Sequence, residues 1–310
     1  MDIKQLKFLV ALDQTRHFGK AADLCHVTQP TLSMRIKGLE DELDLVLIRR
    51  GHRFEGFTEA GERILAWART LLAAHDGLQA EAANCRGQLV GNLRIGMVPL
   101  ASFDPMQLLK PLSQRYPELS FQLSSMSSEQ IIDGLSRNDL DLGLCYLDNH
   151  LGNSLNSTLD NESTEHFETI ELDVTSMGLL FDIRYFHFEG EALSWQAVSE
   201  VPLGMLSKAM RFRQSIMLKM SGLGLHPTPV LESDSTYQLA QAVKSGICCA
   251  IVPLQNGTDI LSDELRIIPI ANANTNAPIS LLMRRAEPRS ALAEKCFELA
   301  KEIFAKENSV

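Results

Sequence analysis

Gln29, Thr31, Ser33, Arg35 and Lys37 offer an amide, two hydroxyls, a guanidinium and an ammonium on one side of a segment. Leu32, Ile36 and Leu39 mark its other side. Apolar offsets of four and three are helical. Polar groups of those types on one stripe are what base edges and phosphates in a major groove can hydrogen-bond. Thr28 is the N-cap of this helix, Gln29 to about Glu42, and Pro30 falls in its first turn, where a missing N–H costs nothing. A second cluster, Arg49-Arg50-Gly51-His52-Arg53, separates two strand-like runs, Leu45–Ile48 and Phe54–Phe57. A hairpin with a basic tip beside such a helix is a wing, suited to backbone phosphate or the minor groove. The candidate contacts to double-stranded DNA are Thr28, Gln29, Pro30, Thr31, Ser33, Arg35 and Lys37, joined by Lys20, Arg50, His52 and Arg53. The competing reading of any single arginine is a solvated charge; cap, spacing, stripe and tip together carry the assignment.

A second chemistry lies downstream, on loops that follow strands. Pro99–Asp104, Ser124–Ser128, Leu206–Met210 and Ser233–Thr236 supply the hydroxyls of Ser102, Ser127, Ser128, Ser207 and Ser235, and the apolar side chains of Phe103, Met126 and Met210. In open α/β lobes ligands bind at the carboxyl ends of strands, where helix N-termini present N–H groups. A small carboxylate or other anion is the expected effector, with Arg211 and Arg213 as cations able to pair with it. For each serine the competing role is to cap the helix that follows.

Other chemistries are excluded or set second. The six cysteines are scattered without a Cys-x-x-Cys pair, so no zinc site and no other metal or cofactor is expected. Neither a Gly-x-Ser-x-Gly elbow, a P-loop nor a His-Glu-x-x-His run is present, and catalysis is not expected. The alternative is a thiol-based redox sensor using Cys145, Cys248 and Cys249 near an interlobe hinge. All three stand in apolar strands, where thiols react poorly.

The elements that hold these groups can be read in order. Ile3, Leu6, Leu9 and Val10 mark a first helix from about Asp2 to Asp13, and Phe18–Leu24 a second, whose Ala21 and Ala22 admit close packing. His17 to Glu40, with Ala21-Ala22, Thr28-Gln29-Pro30, Ser33 and Leu39-Glu40, resembles the winged helix-turn-helix of LysR-type transcriptional regulators, as does Phe57-Thr58-Glu59-Ala60-Gly61. Asp44 stands where the family prefers Gly and Ile48 where it prefers Phe.

From Glu59 to about Ala83 runs a proline-free helix with Gly61, Ile64, Ala68, Leu71, His75, Leu78 and Ala82 at alternating steps of three and four, widened by Leu65 and Leu72. Such a seam wants a partner helix, and a homodimer is expected. Beyond it, Leu93–Val98, Leu119–Leu123 and Asp141–Tyr146 read as strands alternating with helices, hence parallel with right-handed crossovers. A second set follows: Thr169–Phe181, Val201–Leu206, Val230–Ser233 and Ile247–Pro253 as strands, Phe212–Ser221 and Tyr237–Lys244 as helices. Ile279–Met283 and the helix Arg289–Ala305 close the chain. The resemblance implies a two-lobed α/β effector domain similar to periplasmic binding proteins, an oligomer often extended to a tetramer, promoter DNA and a small-molecule effector as partners, and RNA polymerase as a further candidate. The expected domains are 1–58, winged helix-turn-helix; 59–89, linker helix; 90–164 and 266–310, effector lobe I; and 165–265, effector lobe II. Asn149–Thr164, rich in Asn, Ser and Thr, is an unusually long connector.

Charge supports that division. The 310 residues carry −10 overall. Residues 1–90 hold 12 basic against 12 acidic side chains, leaving 17 against 27 for the rest. A neutral head on an acidic body points to different partners, and a local basic surface suffices for DNA. The longest apolar run, Ile247–Leu254, falls far short of the ~20 residues of a membrane span. No secretory signal opens the chain, so the cytosol is the expected compartment.

Overall fold

The computed structural model describes residues 1–50, 54–86, 90–101, 103–147, 166–172, 176–254, 263–274, 278–286 and 289–307. The chain forms two bodies, the first built on Met1–Val90 and the second beginning at Gly91.

The first body contains α1 (Ile3–Thr15), α2 (Phe18–Leu24), α3 (Gln29–Leu43), the strands β1 (Ile48–Arg50) and β2 (Phe54–Phe57), and α4 (Glu59–Asn84). Each short helix is started by a side chain. Asp2 and Gln5 form a capping box on α1, His17 Nδ1 accepts from the backbone N–H groups of Gly19 and Lys20, and Thr28 caps α3. Leu9, Leu12, Leu32, Ile36, Leu39 and Leu65 are fully buried and form one core, each contributing about 1.5–3 kcal/mol. Asp13 is buried between α1 and α4, paired with Arg69 and with Arg16, the latter at 2.7 Å.

The wing begins later than the apolar run Leu45–Ile48 predicts. Asp44 ends α3 in the left-handed region at φ 53°, which explains why glycine is favoured there. The N–H groups of Leu47 and Ile48 then donate to the buried carboxylate of Glu40 at 2.8 and 3.1 Å. Leu47 is committed to α3, and β1 starts only at Ile48, paired with Phe57.

The α4 seam is divided between two roles. Leu65 and Ala68 belong to the core of the head, and a Cβ on Gly61 would lie 2.1 Å from the carbonyl oxygen of Leu47. The N-terminal half of the expected interhelical stripe therefore packs on its own chain. Trp67, Leu71 and Leu78 remain exposed at 68, 42 and 71%.

The second body holds two sheets. The elements of the first are β3 (Gly91–Met97), α5 (Met106–Arg115), β4 (Leu119–Ser125), α6 (Ser128–Ser136), β5 (Leu142–Tyr146), β6 (Phe167–Glu171) and β12 (Ile279–Arg284). The second uses β7 (Ser176–Asp182), α7 (Trp195–Ser199), β8 (Leu203–Leu206), α8 (Arg211–Gly222), β9 (Leu231–Ser233), α9 (Thr236–Lys244), β10 (Cys249–Pro253) and β11 (Leu265–Asn274); α10 (Ala291–Glu307) follows. Their orders are β4-β3-β5-β12-β6 and β11-β7-β10-β8-β9. β3 is parallel to β4 and β5, and β8 to β9 and β10, as expected of crossover units. Arg94 forks onto Asp141 at 2.9 and 3.0 Å, tying β3 to the entry of β5.

Two lobe boundaries need correction. The apolar stretch Thr169–Phe181 is two strands. Phe167–Glu171 pairs with β12 in the first sheet, whereas Ser176–Asp182 pairs with β10 and β11 in the second. Likewise Leu265–Asn274 belongs to the second sheet, not the first. The chain changes sheet within residues 172–176 and 274–279. Asn149–Thr164 lies outside the described residues.

Candidate functional site

The candidate reading face of α3 is built by opposing burial, and its order is as spaced in the sequence. Leu32, Ile36 and Leu39 are wholly buried, while Thr28, Gln29, Pro30, Arg35 and Lys37 are exposed and Thr31 and Ser33 half-buried. Lys20 is exposed on α2. The Thr28 hydroxyl is engaged locally, 2.8 Å from the Thr31 hydroxyl and accepting the Thr31 N–H. Arg35 reaches back to Asp2, Nη1 to Oδ2 at 3.2 Å. Arg50 is described through its backbone in β1 alone, and His52 and Arg53 lie outside the described residues. Two residues of the head were given no role of their own by the sequence pattern. Met34 is 68% exposed between Ser33 and Arg35, where a thioether can meet a thymine methyl; its spacing of four from Pro30 was the available signal. His17, read only as part of a motif, is the cap of α2.

The loop residues of the second body divide among helix caps, turn backbone and core. Ser127 forms a capping box with Gln130, at 2.9 and 3.3 Å, and Ser235 caps α9 through the Gln238 N–H. Both take the helix-capping role. Ser128 is 1% exposed and its hydroxyl is engaged with the Cys145 thiol in β5. Ser207 accepts from the Met210 N–H through its carbonyl and donates its own N–H to Ser233, which shapes the turn before α8. Met126 and Met210 are half-buried. Phe103 is buried edge-to-face on Phe304, centroids 5.1 Å apart, so it is a core residue against α10. Ser102 lies outside the described residues. Arg213 is buried, whereas Arg211 pairs with Glu129 at 3.0 Å, a partner absent from the sequence reading because α6 and α8 belong to different sheets.

The thiols are arranged for packing. Cys145 lies in β5 of the first sheet and Cys249 in β10 of the second, with Cys248 just before it; all three are buried. Burial pushes the thiols of Cys145, Cys249 and Cys296 up to about 12 and raises that of Cys248. Among the described residues no cluster of His, Cys, Asp and Glu fits a metal ion, and no helix is long and apolar enough to cross a membrane.

A winged helix-turn-helix with a polar exposed third helix, carried on a chain with a body of paired α/β sheets, defines a DNA-binding regulator with an appended sensor domain. The known proteins agree. Residues 3–62 match the bacterial regulatory helix-turn-helix protein of the lysR family, and residues 86–305 match the LysR substrate binding domain. The chain belongs to the LysR family of transcriptional regulators. It is 29% identical over 319 residues to the HTH-type transcriptional regulator EstR of Acinetobacter baylyi, covering 98% of this chain and 97% of that one. It is 37% identical over 145 residues to a hydrogen peroxide-inducible genes activator of Pectobacterium carotovorum, covering 46% of this chain and 48% of the relative; the match thus spans about half of that relative's length. Full-length CbnR, crystallised with its target DNA, superposes with a TM-score of 0.63 at 19% identity, over 96% of this chain and 98% of that chain.

Proposed function

We propose that the exposed face of α3 reads a promoter in the major groove while the wing holds phosphate. Gln29, Ser33, Met34 and Arg35 take the base edges; Lys20, Lys37, Arg50, His52 and Arg53 take the backbone. The single observation that carries this is the division of α3 into a buried Leu32/Ile36/Leu39 face and an exposed polar face. Two copies pair through the exposed stripe of α4, and tetramers extend that pairing. The body binds a small anionic effector at the strand ends of its sheets and transmits its presence to the heads, without catalysing a reaction. The protein works in the cytosol.

The test is binding of the full chain to fragments from upstream of its own gene, measured by fluorescence anisotropy and footprinting. Gln29→Ala and Arg35→Ala each lower affinity for the footprinted site by about 1–3 kcal/mol and relax selectivity, whereas Arg53→Ala weakens binding to all sequences alike. Unchanged binding in all three variants would refute the assigned face. The redox alternative is not favoured, because its thiols are buried in two different sheets.

A further inference from the structure

Arg16 closes α1 in the left-handed region at φ 50°, a backbone state that glycine takes freely and a residue with a Cβ does not. Its side chain is held from two directions. Nη2 lies 2.7 Å from Oδ1 of Asp13, whose other carboxylate oxygen takes Arg69. The guanidinium carbon stands 5.7 Å from the ring centre of Phe57 and 5.9 Å from that of Phe54, both on the wing strand β2, within cation–π range. The Asp13 side chain is 6% exposed, but that of Arg16 is 54% exposed. A guanidinium carries five N–H donors, so those on the exposed side of Arg16 remain for a second acceptor.

This cation sits where the start of α2 meets the wing. Arg16 immediately precedes His17, the cap of α2, and stands four residues before the exposed Lys20. Phe18, the first residue of α2, packs edge-on against Phe54 with centroids 6.1 Å apart, and Phe54 against Phe57 at 5.3 Å. In the sequence Phe54 directly follows the basic cluster Arg49–Arg53. Arg16 therefore lies between two groups of cations proposed for DNA phosphates, Lys20 on one side and the wing on the other. A cation that served only to fasten the wing would gain from burial among the rings, whereas Arg16 keeps half of its surface in solvent.

We propose that Arg16 is a further contact to the DNA backbone, a phosphate-binding guanidinium at the junction of α2 and the wing, held ready by Asp13 and by the Phe54 and Phe57 rings. The phosphate takes N–H groups on the exposed side while Nη2 stays on Asp13. Arg35 must leave Asp2 to meet DNA; Arg16 gives up no partner. Its side chain is already fixed, so little rotamer freedom is lost on binding. The contact positions the head and carries no base preference. This rests on the reading of α3 and the wing as a DNA-binding face, and adds a residue that belongs to neither.

Titrations of the full chain by fluorescence anisotropy, with a footprinted fragment from upstream of its own gene at about 50 to 200 mM salt, test it, together with phosphate ethylation interference on the same fragment. Arg16→Gly removes the side chain at a φ that glycine prefers and leaves Asp13 paired with Arg69. It is expected to shrink the salt slope by about 0.9 per head on DNA, so that raising the salt over that range weakens the natural chain about 3.5-fold more per head than the variant. Ethylation of one phosphate per half-site ceases to interfere, and sequence preference is retained. Arg16→Lys keeps the charge and is expected to keep the slope. Arg16→Gln, which also lacks the charge, serves as a second form should Arg16→Gly fail to fold. An unchanged slope in the uncharged variant overturns the proposal. So does loss of interference at several phosphates together, the mark of a displaced wing rather than of one missing contact. If the natural chain binds no fragment at all, the DNA-binding reading itself falls, and the role of Arg16 with it.

Discussion

Arg35 shows how a candidate reading residue can be legible while its energetics are not. Its position follows from helical spacing, but its ion pair with Asp2 joins residues 33 apart and could not be read from pattern. Both side chains are about half exposed, so the pair is worth about 0–1 kcal/mol, and DNA must break it to use the guanidinium. Asp2→Asn keeps an acceptor for the α1 cap and removes the charge. It is expected to raise DNA affinity up to about fivefold without lowering the melting temperature; an affinity that falls would show that the pair positions Arg35 for DNA. Thiol behaviour is a second property fixed at single residues. Cys145, Cys249 and Cys296 sit in apolar surroundings that raise them to about 12. In the unfolded chain they titrate near about 8.5. A raised pKa means their neutral form stabilises the fold fully below that value, and the stabilisation is lost as pH rises toward the folded value. Urea unfolding should therefore show stability declining above about pH 8.5, by up to about 1.4 kcal/mol per pH unit for each thiol, and less steeply in Cys296→Ala. Native labelling at pH 8 is expected to reach the exposed Cys85 first; rapid labelling of Cys145 would restore thiol sensing as the better account.

Among the elements, α4 was the most regular in sequence and the most misread in use. The 3.5-residue period was visible, but period alone does not say which chain supplies the opposing surface. The early positions answer to the head: Leu65 and Ala68 fill its core, and Gly61 is needed because a Cβ would strike Leu47. What is left for a partner is Trp67, Leu71 and Leu78, a narrower stripe displaced along the helix. Exposed large apolar groups in line are a liability unless covered. Trp67→Glu and Leu78→Glu are expected to convert the oligomer to monomers in sedimentation velocity, while helical content and head stability stay unchanged. Gly61→Ala should do the reverse, lowering stability by about 1–3 kcal/mol through overpacking. An oligomer that survives both glutamates would place the interface elsewhere. The wing illustrates the same limit at smaller scale: Leu45–Ile48 has strand character, but Glu40 takes the N–H groups of Leu47 and Ile48, and the strand begins only at Ile48.

At the scale of the molecule, strand order was the least legible feature. Alternation of strands and helices gave parallel units, yet nothing local distinguishes Phe167–Glu171 from Ser176–Asp182, and they lie in different sheets. Sheet membership is decided by long-range pairing, of β6 with β12 and of β7 with β10 and β11, strands far away in sequence. Charge distribution, by contrast, was fully readable: the −10 resides beyond residue 90, and the head is neutral, with Lys20, Arg35 and Lys37 exposed on α2 and α3. An acidic body repels the duplex that its head must approach, so association depends on a few local cations rather than on net charge. The logarithm of the binding constant should then fall linearly with the logarithm of salt concentration, with a slope of about −0.9 for each phosphate neutralised. Lys37→Gln removes one such cation per head and is expected to reduce the slope by about one per head contacting DNA, with sequence preference retained. Anisotropy titrations from about 50 to 200 mM salt measure this. A slope unchanged in that variant, with affinity also unchanged, would mean that Lys37 faces solvent in the complex and that α3 enters the groove rotated from the orientation its buried face defines.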